Sequence, residues 1–156
     1  MRKIGIIAVL SLLAVALAAV PALAANPHFI GAPTASDEGT TLNVTGSIAG
    51  LGNADIDVEV VALGTATVTC SNPAGNVAPG QDTSVTATGT QTGIEVKNGR
   101  AFFDVTTVTP TVPNYPTCPN PKWTATVTDV DFDSYTINVY QPSGSDTLVL
   151  SRTFNL

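Results

Sequence analysis

Apolar residues in this chain recur at every second position and show no sustained recurrence at every third or fourth. Ile56, Val58, Val60 and Ala62 alternate with Asp57, Glu59 and Val61, and Ala66, Val68 and Cys70 alternate with Thr65, Thr67 and Thr69. Successive side chains of a β-strand point to opposite faces, so such a pattern gives each strand one dry face and one wet one. The same reading predicts strands over residues 41–48, 56–62, 65–70, 94–97, 100–108, 123–132, 135–140 and 147–154, with a weaker one over 84–90. Asn98-Gly99 between two of them is the strongest hairpin signal, because both residues accept the positive φ angles of a type I′ turn.

Composition agrees. From Ala25 onward the chain holds 23 Thr and 15 Val against 6 Leu, 3 Glu and 2 Lys. β-branched side chains suit a pleated sheet and lose rotamer freedom in helices. Ten prolines spread between Pro27 and Pro142 leave little room for a long helix. The expected fold is all-β: an immunoglobulin-like antiparallel β-sandwich of about eight strands, with a β-barrel as the alternative. Two long loops, 71–82 and 109–122, interrupt it without dividing it. Residues 25–156 are expected to form one domain.

Residues 1–24 read as a secretory signal peptide, with Arg2 and Lys3 as its charged start, an apolar stretch over 4–20, and Ala22-Leu23-Ala24 as the cleavage site. A lipoprotein would need Cys where Ala25 stands. Removing the leader takes the formal charge from −6 to −8. The expected location is extracellular, or periplasmic in a host with an outer membrane. The remaining cations, Lys97, Arg100, Lys122 and Arg152, are too few to track a phosphate backbone, so nucleic acid is not an expected partner. No apolar run beyond the leader is long enough to span a membrane.

Cys70 and Cys118 are the only cysteines. In an oxidising compartment they are expected to pair, fastening the two long loops at one end of the sandwich. Closing a loop of this length stabilises by up to about 4 kcal/mol on the chain-entropy argument. Trp123 follows the second cysteine and Pro116 stands two places before it, so this is not a true immunoglobulin domain.

Candidates for chemistry are few. His28 has no nucleophile motif to serve, and Pro27 before it removes a backbone nitrogen that an amino-terminal copper clasp would need. Asp129, Asp131 and Asp133 have the spacing that opens a calcium loop, which makes them the candidate metal ligands. Ser134 replaces the required Gly, however, and Tyr140 the bidentate Glu, so the competing reading is a solvated strand face. Asp55, Asp57 and Glu59 form a second acidic stripe, and calcium becomes more plausible if the two stripes meet. A glycosidase would need paired carboxylates in an aromatic cleft, and most aromatics here fit the alternation of a core. Asn43-Val44-Thr45 matches a glycosylation sequon but falls within a strand.

Several segments together resemble a group of small secreted bacterial proteins of actinobacterial type. These are Ala25-Asn26-Pro27-His28-Phe29 after the leader, the Ala-Gly-Leu-Gly turn at 49–52, and the Ala/Thr strand running into Cys70-Ser71-Asn72-Pro73-Ala74-Gly75-Asn76. Cys118-Pro119 and Asp129-Val130 follow. The resemblance implies secretion, one disulfide and a β-sandwich, and it carries over no site residue, cofactor or activity. The expected function is non-enzymatic: binding a surface component or building extracellular structure. Two alternatives stand beside it. One is a fibre or matrix subunit that pairs with its own kind by strand addition. The other is an adhesion module dependent on calcium or carbohydrate.

Overall fold

The structure, a computed structural model, describes residues 26–156. The leader expected over 1–24 lies outside them. The described chain forms nine strands and no helix. They are β1 (His28–Phe29), β2 (Thr34–Asp37), β3 (Leu42–Ala49), β4 (Ile56–Ser71), β5 (Val77–Pro79), β6 (Thr83–Ile94), β7 (Arg100–Thr106), β8 (Thr124–Tyr140) and β9 (Leu148–Asn155). All pairings are antiparallel.

Two sheets result. In the smaller, β3 is central, with β7 along one edge and β1 and β2 sharing the other. In the larger, β4 is flanked by β8 on one side and by β6 and β5 on the other, and β9 lies outside β8. Their facing sides bury Leu42, Val44, Ile48, Phe103 and Val105 against Ile56, Val58, Val60, Ile137 and Val139. The arrangement is a β-sandwich whose larger sheet curls like half a barrel.

Two expected breaks are absent. The strands expected at 56–62 and 65–70 are one strand, β4, and those expected at 123–132 and 135–140 are one strand, β8. Gly64 does not end β4, because β6 and β8 pair with it on both sides: Val85 and Phe132 stand opposite. The phase change in β8 is absorbed by bulges that leave Thr128 and Asp133 without a partner across the ladder, and inward facing resumes at Tyr135. A Cβ at Gly64 would meet the Asp131 carbonyl, so the close approach requires glycine there.

The Asn98-Gly99 turn forms as expected, with φ of 51° and 71°. Only Lys97 and Arg100 bridge across it, so the strand expected at 94–97 is not part of a regular hairpin. β6 stays with the larger sheet and β7 joins the smaller, and the turn carries the chain from one layer to the other.

The long strands β4 and β8 continue beyond the smaller sheet. At that end the Pro-rich coil after β7 buries Pro110 and Thr117 and packs Val112 against the core, and the Val130 amide donates to the Gly39 carbonyl of the β2–β3 turn at 2.9 Å. Cys70 and Cys118 are joined, as expected, with Cα atoms 5.8 Å apart. The bridge fastens this coil to the end of β4, and the Gln81 amide donates to the Thr117 carbonyl at 3.0 Å beside it.

The outer side of the larger sheet explains the threonine content. One row across it reads Thr88, Val61, Thr136 and Thr153, and the last two hydroxyls lie 2.8 Å apart. Threonine keeps the β-branched preference for extended backbone while offering water a hydroxyl.

Candidate ligand-binding hollow

β7 carries the doublet Phe102-Phe103. Alternation allows only one of them to face the core, and Phe103 does. Phe102 therefore points outward from the smaller sheet and is 62% exposed, next to Ile30 at 45%. Around them lies an open hollow of about 510 Å³ lined by Ile30, Ser47, Ile94, Glu95, Lys97, Arg100, Ala101 and Phe102.

Three elements fix its shape. Ser47 of β3 stands opposite Phe102 of β7, which makes the floor a paired ladder. The Ile30 amide donates to the Ser47 carbonyl at 2.8 Å and holds the chain after β1 against one wall. The crossing turn forms the other wall, and its Leu51 amide to Gly99 carbonyl contact of 3.1 Å ties that turn to the body.

Charge is unevenly spread over the molecule. Two of the four cations beyond the leader, Lys97 and Arg100, line this hollow. Lys97 is paired with Glu95 at 3.0 Å. Among the described residues Arg100 has no carboxylate within ion-pairing distance, so it is a free guanidinium beside an exposed aromatic ring. Sequence reading placed most phenylalanines in the core and passed over this hollow. The signal that could have found it is the Phe102-Phe103 doublet flanked by Arg100.

The residues singled out from sequence lie elsewhere. Asp129, Asp131 and Asp133 are exposed on β8, while Val130 and Phe132 between them are buried. Asp133 occupies a bulge and its carbonyl accepts from the Leu156 amide at 3.0 Å. The second acidic stripe is on the neighbouring strand, but the two do not meet. Glu59 stands opposite Asn138 and Asp133 bulges beside the Leu63–Ser134 pair, so even the nearest members are about 13 Å apart along the strands at ~3.3 Å per residue. Among the described residues no three His, Cys, Asp or Glu side chains converge as a metal site.

Asp57 and Glu59 instead hold the fold's own groups beside a cleft of about 370 Å³ that Asp146 and Tyr140 share. Asp57 accepts from the Gly93 amide at 2.8 Å, the Ser143 hydroxyl, and the Gly144 amide at 2.8 Å. Burial pushes its carboxyl up, but these three donors together outweigh it and hold it below the usual carboxylate range. Glu59 accepts from Asn138 at 3.0 Å and from the Tyr140 hydroxyl at 3.2 Å. Tyr140 is raised, first by burial and then by the charge of Glu59, its hydrogen bond to Glu59 and the charge of Asp146.

His28 is exposed on β1, where its Nδ1 donates to the Asn26 carbonyl at 2.9 Å. Asn43 of the sequon points its amide at Asp104 and Thr106, at 2.7 and 2.9 Å. The disulfide borders a second cleft of about 370 Å³, where Tyr115 stands among Pro79, Pro116 and Pro119. Among the described residues no helix is long and apolar enough to cross a membrane.

The chain matches no family model, no curated protein and no solved structure.

Proposed function

We propose that this chain is a secreted, non-enzymatic binding module of the cell exterior, and that the hollow around Phe102 is its binding surface. The observation that carries the reading is that hollow: an exposed aromatic ring and a free guanidinium set on a rigid ladder, within the size range of small-ligand sites. The disulfide and the leader-like residues 1–24 support the exterior location. The calcium-dependent alternative has less behind it, because the two acidic stripes stand apart and the carboxylates of Asp57 and Glu59 are already engaged.

Light scattering on residues 25–156 eluting from a sizing column, with and without calcium, tests this reading against both alternatives. A monomer indifferent to calcium is the expected result. A polymer growing with concentration would make the chain a fibre subunit. A melting temperature climbing with added calcium would make it an adhesion module.

A further inference from the structure

Resting on that reading, we propose that the hollow takes a small monoanion with an aromatic or aliphatic body. The carboxylate or sulfonate sits on Arg100 and the body lies on Phe102, Ile30 and Ile94. The argument is one of charge. Lys97 and Glu95 neutralise each other at 3.0 Å, which leaves the hollow with the single uncompensated charge of Arg100. Beyond the leader the chain around it is acidic, with 12 carboxylates against 4 basic side chains. A cation would find stronger attraction almost anywhere else on the molecule. A monoanion finds its favourable charge here, and a guanidinium fork pairs with two oxygens of one carboxylate or sulfonate.

The apolar lining decides the rest of the ligand. Phe102 and Ile30 keep much of their surface in water, and covering both removes that cost only if the ligand has an apolar body. Free inorganic anions would satisfy Arg100 and leave the ring bare. The ligand class is therefore an organic acid carrying one charge.

A matched pair of fluorescent probes separates the two halves of this claim: 8-anilinonaphthalene-1-sulfonate, and N-phenyl-1-naphthylamine, which has the same body without the sulfonate. The sulfonate is expected to bind the folded wild-type chain at least tenfold more tightly than the neutral amine. Arg100→Gln should bring the two affinities together by weakening only the sulfonate, and Phe102→Ser should weaken both. Arg152→Gln, which removes a cation away from the hollow, should change neither. Equal affinities in the wild type, or no sulfonate binding at all, would overturn the anion class. In the first case, loss of both probes on Phe102→Ser would still leave the hollow as the binding surface. Probe binding indifferent to both Arg100→Gln and Phe102→Ser would overturn the hollow itself.

Discussion

Asp57 gathers three loose ends of the backbone and side chains at one end of the larger sheet: Gly93 within the irregular end of β6, and Ser143 and Gly144 in the turn before β9. Its carboxyl is held below the usual range when folded, so the chain binds fewer protons there than when unfolded. The stability this contributes is present above the unfolded value of 3.8 and is lost as pH falls through the lower folded value. Asp57→Ala should lower stability at neutral pH by about 1 kcal/mol, since a half-buried charged acceptor of several donors is removed. Denaturant melts of both proteins from pH 6 to 2 should converge in the acid limb, and parallel curves would remove Asp57 from that role. Residues of this kind are poorly legible in sequence. Asp57 reads as one tooth of an acidic stripe, because the Ser143 and Gly144 that explain it arrive from 86 and 87 residues away.

Among the strands, alternation names the inward residues of β4 correctly from Ile56 to Cys70. What it misses are lengths and partners. Gly64 and the Asp133-Ser134 step look like ends when read locally, and pairing on both sides overrides them. β1, β2 and β5 are too short to carry a period and exist because β3 and β4 offer them an edge. β1 has a further task. Its Phe29 ring lies edge-on to Phe103 at 6.3 Å and to Phe154 at 5.6 Å, and Phe154 stacks on Tyr135 at 5.2 Å. This aromatic run closes the side of the sandwich where β9 and β1 face each other. Phe29→Ala should cost about 2 kcal/mol, roughly half the value of a fully buried phenylalanine. A change in the denaturation midpoint corresponding to less than a quarter of that would mean the side is closed by other contacts.

At the scale of the molecule, β9 is an edge of the larger sheet. The Leu156 amide pairs with the Asp133 carbonyl, so by alternation the backbone groups of Ser151, Thr153 and Asn155 face away from β8 and are open to another chain. Arg152 counters that invitation. It stands opposite buried Ile137, hence on the inward side of an edge strand, and its guanidinium lies 5.0 Å from the Phe154 ring. An inward charge at a sheet edge must be desolvated when a further strand docks, which is how natural sheets resist edge-to-edge growth. Arg152→Val should therefore make self-association stronger, read as a rise in scattering mass with concentration. An unchanged monomer would show that the edge is guarded by something else.

The larger sheet is roofed by two materials. Over its near half the roof is another sheet, cross-braced by ladders. Over its far half it is a proline-rich coil held by the bond between Cys70 and Cys118, 48 residues apart, and by a few hydrogen bonds, among them Gln81 to Thr117 and Ala125 to the Asn114 side chain. Free energies of local opening follow such differences, so the molecule has a tight half and a half that is latched. Amides of Val58 and Val60 should exchange with deuterium only on global unfolding. Amides over Ala66 and Val68 should match them while the cystine is intact. In the Cys70→Ser, Cys118→Ser protein the latter pair should exchange far sooner, and a shared slow rate in both proteins would mean that the latch holds nothing. On the expected outcome the cystine sets how often water reaches the far half of the core, while the near half answers only to the strands themselves.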